Sequence, residues 1–295
     1  MMQNKFSLYG EVLENADLTN YNTYGIKTSC DYLIKVKDEE SLRELLDFLN
    51  NDDIKYFVVG GGSNIIFSDK HFHGVIISLE KINGIKIEDV YVYAGAGVSL
   101  SKFILECINN NMGGLEELCL IPGSLGGALY GNAGCLGKCI YDCLDTITVL
   151  RDGKIITLLK NEVEYSYRHT EFKNNGDIIL SAKFRLEHKD KNEMLNSVKE
   201  NRIKRNSSQP LEYKNAGSVF KNPEGDYAGR LIESLNLKGY KIGGAEISTK
   251  HANFIINSGN ATGKDIRELI KYVQDKVYDN YKIKLELEQI IVDWE

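Results

Sequence analysis

The sequence predicts an α+β protein of two domains, and three observations carry that expectation. Segments of helical and extended period alternate irregularly, without the repeat of a wound parallel sheet. A chain of 295 residues is longer than one typical domain. The composition turns charged and polar from His188 to Gln209 before glycines and aromatics return, which sets a domain boundary near residue 190 (domains 20–190 and 191–295).

Asp38 is placed to cap a helix whose Leu42, Leu45, Leu46 and Leu49 recur at helical spacing. Tyr56 to Val59 then reads as a strand running into glycine, and Val75 to Leu79 and Tyr91 to Ala94 as further strands. A second helix carries Leu100, Phe103, Ile104, Cys107 and Ile108 on one face, which assigns Cys107 to the core. Ile147 to Leu150 and Ile155 to Leu159 flank the turn Arg151-Asp152-Gly153-Lys154 as a hairpin, and Ile178 to Leu186 alternates as a strand. Beyond the boundary come a helix through Met194, Leu195 and Val198 and another through Ile266, Leu269, Ile270, Val273 and Val277. Thr262 and Asp265 start the latter as a variant capping box, and a strand from Lys282 to Val292 closes the chain.

Composition excludes several classes. Lys and Arg total 36 against 42 Asp and Glu, a net charge of −6, so no overall field draws in nucleic acid. The apolar runs fall far below the roughly 20 residues of a membrane helix, and Met1 to Tyr9 lacks the apolar core of a signal peptide. A soluble cytoplasmic protein, monomeric and without membrane or nucleic-acid partner, is the expectation. Six cysteines are too few for a disulfide scaffold in so long a chain. Cys135, Cys139 and Cys143 do not have zinc or iron–sulfur spacing and read as small packed thiols. His71-Phe72-His73 places two imidazoles on one strand face without a third ligand nearby in the sequence, so no metal is expected.

Glycine is the informative residue, with 27 copies against 3 prolines. Gly60-Gly61-Gly62-Ser63-Asn64 follows a strand directly and reads equally well as a tight turn or as an anion nest, with Ser63 and Asn64 adding donors. A second cluster runs Ile121-Pro122-Gly123-Ser124-Leu125-Gly126-Gly127-Ala128, then Gly131-Asn132-Ala133-Gly134 and Gly137. Removing side chains over so long a stretch allows backbone to approach a bulky ligand. Neither cluster ends in the Gly-Lys-Ser/Thr of a P-loop, and Gly95-Ala96-Gly97 has Leu100 where a dinucleotide fingerprint needs glycine. Two glycine surfaces in one domain suit a dinucleotide such as FAD.

Together, Val58-Val59-Gly60-Gly61-Gly62-Ser63-Asn64, Ile121-Pro122-Gly123-Ser124-Leu125-Gly126-Gly127 and Asn132-Ala133-Gly134 resemble the UDP-N-acetylenolpyruvoylglucosamine reductase (UDP-N-acetylmuramate dehydrogenase) family. The resemblance continues through Tyr167-Arg168, Asn215 to Pro223, Gly243-Gly244-Ala245 and His251-Ala252-Asn253-Phe254, in family order. It implies an FAD-binding domain of the vanillyl-alcohol oxidase (PCMH) type followed by an α+β substrate domain, whose last strand returns to the active site. It also implies non-covalent FAD, NADPH as reductant, and UDP-N-acetylglucosamine enolpyruvate as the substrate reduced in peptidoglycan synthesis.

Residue by residue, the resemblance implies that Gly60, Gly61, Gly62, Ser63, Asn64, Pro122, Gly123, Ser124, Gly126, Gly127, Asn132, Ala133 and Gly134 hold FAD. Arg168 matches the arginine that stabilises charge developing on the substrate carboxylate, and Ser218 the serine that protonates C2. Glu288 matches the family's C-terminal glutamate, with Glu286 two residues away as its rival. Tyr167 and Asn222 map to substrate contacts, while Lys221 and Arg202 are cations suited to a diphosphate. The short stretch from Arg168 to Ala182 carries no inserted tyrosine loop, which places the chain with the shorter class. Lys27-Thr28 stands where the family usually has a glycine pair. Two rival functions are a flavin oxidase of the same broad fold and a non-catalytic flavin- or nucleotide-binding sensor.

Overall fold

The computed structural model describes residues 2–294. They form two compact units that interleave along the chain. The first gathers the chain up to Asn15, then Asp31–Gly61 and His73–Arg202; the second gathers Ala16–Cys30, Gly62–Phe72 and the chain from Ile203 onward. The last long stretch of the first unit thus ends at Arg202, within the helix Lys191–Ser208.

In the first unit an antiparallel five-stranded sheet has the order Lys154–Leu159, Leu144–Arg151, Ile178–Arg185, Tyr91–Gly95, Ile85–Glu88. The hairpin register pairs Val149 with Ile156 across the turn expected at Asp152-Gly153. A four-stranded sheet orders Gly10–Asp17, Ser29–Val36, Phe72–Ser78 and Tyr56–Val59, the last two parallel. The Asp38 carboxylate accepts from the Ser41 N–H and starts the helix Glu39–Asn51, which buries all four expected leucines. Ser99 caps Leu100–Asn109 in the same way, and Phe103 meets Phe184 of the sheet at 4.9 Å between ring centres. Cys107 lies buried on that helix, and burial pushes its thiol up to about 12.

The glycine-rich stretch contains a helix, Leu125–Tyr130, capped by Ser124. Two glycines in six residues oppose helix formation, so tertiary contact holds it. A Cβ at Gly126 would lie 2.8 Å from that of Ala96, and the Leu125 and Gly126 N–H groups donate to the Val98 and Ala96 carbonyls.

In the second unit the antiparallel sheet Lys241–Ile242, Ala245–Ile247, Ile255–Asn257 packs with the helices Ala228–Ser234 and Gly263–Tyr281. Thr262 and Asp265 form the expected reciprocal cap, and Ile266, Leu269, Ile270, Val273 and Val277 are all buried. The closing strand is shorter than the sequence suggests, covering Ile290–Val292, where it pairs in parallel with Ile65–Phe67. Lys282 is still the helix C-cap, in left-handed conformation with φ 58°. From there to Gln289 the chain is irregular and joins its neighbour through separate bonds, including a bridge between Leu287 and Phe220, rather than a ladder. Among the described residues no helix is long and apolar enough to cross a membrane.

Candidate active site

In the first unit the two glycine segments meet through bare backbone. A Cβ on Gly60 would stand 2.6 Å from the Ser124 Oγ, and one on Gly61 would stand 2.5 Å from the Gly123 Cα. No side chain fits between the segments, yet Gly60, Gly61, Pro122 and Gly127 are exposed. The result is a patch of main chain, open on one side and fixed on the other, that a flat or extended ligand can approach closely. The first N–H groups of the short helix bond Val98 O at 2.8 Å, Ala96 O at 2.9 Å and the Ser124 Oγ at 3.2 Å, so its N-terminus is engaged within the fold. Gly126 packs against Ala96 and Ser124 caps a helix, so their contribution is to shape the patch.

Asn132 sits at the end of this stretch with φ 46° and donates its amide to Ser166 O at 2.7 Å. Its Oδ1 is buried without a hydrogen-bond partner among the described residues. A buried acceptor left unpaired costs about 1–3 kcal/mol, and an amino or imide N–H of a bound dinucleotide would satisfy it. The open glycine patch and this orphaned acceptor fit the requirements of FAD.

Arg168 belongs to the same unit. Tyr165–Ser166 and His169–Thr170 form a hairpin whose register leaves Tyr167-Arg168 as a two-residue loop, with Arg168 left-handed at φ 57°. That conformation costs a non-glycine residue on the order of 1 kcal/mol or more. The guanidinium bonds Gly134 O at 2.6 Å and reaches Asn132 O at 3.5 Å, and it lies 5.2 Å from the Tyr167 ring centre. A Cβ at Gly134 would come within 2.9 Å of Arg168 Nη1, so glycine at that position makes room for the arginine. Tyr167 is exposed, as is Arg202.

Ser218, Lys221, Asn222 and Glu288 lie in the second unit, together with Gly62, Ser63 and Asn64. Gly62 has φ 62°, and a Cβ there would strike the Tyr21 carbonyl. The segment around Ser218 and the segment around Glu288 run side by side: Glu288 N–H donates to Val219 O at 2.8 Å, and Lys221 N–H to Glu286 O at 2.9 Å. The Asn64 amide donates to Glu288 O at 3.1 Å, a role in the substrate half of the chain that its place in the glycine cluster did not suggest. Ser218 is half-buried, and its hydroxyl makes no hydrogen bond among the described residues.

The two carboxylates differ in surroundings. The Glu286 side chain is 75% exposed and pairs with Lys221 at 3.3 Å, whereas Glu288 is half-buried. Lys221 is therefore partly engaged by a carboxylate. Asn222 accepts from Ala228 N–H at 3.1 Å and so caps the helix Ala228–Ser234, a structural duty beside any contact with substrate.

Cys135, Cys139 and Cys143 are half-buried free thiols. Cys139 donates to the Asp142 carboxylate at 3.2 Å and Cys143 to Gly114 O at 3.4 Å. Burial pushes the Cys143 thiol up to about 11, which keeps it protonated at neutral pH. His71 precedes the strand that carries His73. Contrary to the sequence reading, a third potential ligand does lie nearby: Asp31 stands 3.5 Å from His73 Nδ1, while Ser29 Oγ lies 2.8 Å from His71 Nδ1.

Residues 30–159 match the family model described as an FAD binding domain, and residues 209–292 match the C-terminal domain of UDP-N-acetylenolpyruvoylglucosamine reductase. The reductase of Carboxydothermus hydrogenoformans is 43% identical over 279 residues, 94% of this chain and 92% of its own. That of Clostridium tetani is 39% identical over 282 residues, 95% of this chain and 92% of its own. The crystal structure of the Thermus caldophilus enzyme superposes with a TM-score of 0.81 at 32% identity, covering 96% of this chain and 98% of that one. With both domains matched in order and relatives aligned over nearly their whole length, the chain belongs to the UDP-N-acetylenolpyruvoylglucosamine reductase family.

Proposed function

We propose that the protein catalyses the NADPH-driven, FAD-dependent reduction of UDP-N-acetylglucosamine enolpyruvate to UDP-N-acetylmuramate, a cytoplasmic step of peptidoglycan synthesis. The observation that carries this reading is the Ser218 hydroxyl, which makes no hydrogen bond among the described residues, on a loop bonded to the Glu288 segment, in a chain whose other unit presents the glycine patch. Held by the glycine patch, FAD would supply hydride chemistry to C3 of the enolpyruvyl group, with NADPH as the reductant. The chain's own residues then handle charge and proton. Arg168 offers a planar guanidinium to the carboxylate as negative charge builds on it. Ser218 gives its proton to C2, completing addition across the double bond, and Glu288 serves the same reacting carbons. Lys221 and Arg202 neutralise the diphosphate, and Tyr167 and Asn222 line the sugar nucleotide.

Turnover tests the reading. The enolpyruvyl sugar nucleotide is expected to stimulate NADPH oxidation by protein carrying one releasable FAD and no stoichiometric metal. NADPH oxidation that ignores the sugar and follows oxygen would instead establish the oxidase.

The glycine patch has its own test. Gly61→Ala puts a methyl group against the Gly123 backbone at 2.5 Å, which no rotamer change relieves, whereas Gly84 has open space within 4 Å. Gly61→Ala is expected to lose most of its flavin absorbance and to melt several degrees lower, with Gly84→Ala unchanged in both. Full flavin retention by Gly61→Ala would remove the segment from the FAD site.

A further inference from the structure

Gln289 and Tyr24, the latter within the run Asn22-Thr23-Tyr24-Gly25-Ile26, join the segments that carry Ser218 and Glu288. Gln289 is 3% exposed, and its amide donates to Ala216 O at 3.0 Å and to Gly217 O at 3.2 Å, the two peptides immediately before Ser218. Its Oε1 accepts from the hydroxyl of Tyr24, itself fully buried, at 2.9 Å. A flipped amide would turn its oxygen toward two carbonyls and its N–H toward a hydroxyl aimed at it. The two carbonyls, which can only accept, therefore fix the orientation in which both amide donors hold the Ser218 loop, and the Tyr24 hydroxyl satisfies the remaining amide oxygen.

The neighbouring peptides are held as firmly. Glu288, adjacent to Gln289, has its N–H on Val219 O and its carbonyl on the Asn64 amide. On the far side of Ser218, Val219 N–H donates to Asn253 O at 2.9 Å, and the Asn253 amide bonds both the N–H and the carbonyl of Phe220, at 3.0 and 2.8 Å. Main chain on both sides of Ser218 is thus pinned while its hydroxyl makes no hydrogen bond among the described residues.

We propose that the buried Tyr24–Gln289 couple positions Ser218 for proton delivery by tying the peptides before it to the chain segment that presents Glu288. The proposal rests on the reading of Ser218 as the proton donor. Gln289 and Tyr24 touch no reacting atom in this scheme; they act through Ser218 and, through the shared backbone, Glu288. A well-oriented donor is sensitive to displacements of about 1 Å, which can cost on the order of 10²-fold in rate.

The test uses the FAD-loaded enzyme and follows the two half-reactions separately by stopped flow, in Gln289→Met, Tyr24→Phe and Ser218→Ala, and in Ser218→Ala combined with each of the first two. Gln289→Met keeps the volume and removes both donors, while Tyr24→Phe removes only the hydroxyl that anchors the Gln289 amide oxygen and spares the fold if the former does not. Gln289→Met is expected to slow transfer to the sugar substrate by roughly 10- to 100-fold, and Tyr24→Phe by a few-fold. KM for the sugar and flavin reduction by NADPH should stay within about two-fold. In the Ser218→Ala background each additional change should cost much less than it does alone, since residues acting as a unit are not additive. Equal losses in both half-reactions, or full multiplicative losses in the double variants, would show a merely structural role. If Ser218→Ala is impaired but Gln289→Met and Tyr24→Phe are normal, the positioning proposal alone fails. If Ser218→Ala itself transfers normally, the reading of Ser218 falls and the proposal with it.

Discussion

Glu288→Gln is expected to slow reoxidation of the reduced flavin by the sugar substrate by roughly 10²-fold or more, with flavin content retained. Glu286→Gln should stay within a few-fold of wild type. Both residues lie on the irregular segment after the helix Gly263–Tyr281, and both bond through their main chain to the Val219–Lys221 segment, so spacing alone does not separate them. Their surroundings do. Glu286 is a largely solvated carboxylate beside Lys221, the kind of exposed pair that contributes about 0–1 kcal/mol. Glu288 is half-buried, with its peptide held at both ends by Val219 and Asn64. A group held in place is worth more to a transition state than one sampling many rotamers. Stopped-flow spectroscopy measures the difference directly. A large defect in Glu286→Gln with near-normal Glu288→Gln would reverse the assignment.

The parts of the fold legible in the sequence are those whose pattern is local. Leu42, Leu45, Leu46 and Leu49, or Ile266 through Val277, repeat at the helical period because one face is buried, and Asp38 and Thr262 mark their starts with side chains that satisfy backbone N–H groups. The helix Leu125–Tyr130 was not legible, because its stability comes from Ala96 and Val98 rather than from its own residues. The final strand was overextended for the opposite reason. Ile283, Leu285 and Leu287 do alternate with charged residues, but the alternation breaks before Val292, and periodicity records which side is buried without showing whether a partner strand runs alongside. The three short strands between Lys241 and Asn257 are too brief for either period to register.

The candidate site divides in the same way. Glycine clusters announce themselves by composition, and the resemblance selects Arg168, Ser218 and Glu288. Their supporting partners lie far away in sequence: Tyr24 and Gln289 are 265 residues apart, and Asn64 and Glu288 are 224 apart. No spacing rule links such pairs. The orphaned Asn132 Oδ1 is invisible for a related reason, since a missing partner is defined only once the surrounding atoms are placed.

Ser218→Ala is expected to leave reduction of the flavin by NADPH within about two-fold of wild type and to slow its reoxidation by the sugar substrate by roughly 10²-fold or more. A serine hydroxyl is a very weak acid, so the proposed role requires that the electron-rich carbon left by hydride addition be a strong base held close to it. Alanine removes the proton source and little else. Gly217, left-handed at φ 76°, and the bonds from Gln289 and Asn253 set the loop without using the Ser218 side chain. Ser218→Cys, which restores a proton on a similar side chain, should recover part of the lost rate. Single-turnover traces for each half-reaction distinguish the outcomes. Loss of the NADPH half-reaction with transfer to the sugar preserved would assign Ser218 to reductant binding, and a cysteine variant no better than alanine would show that the hydroxyl contributes shape rather than a proton.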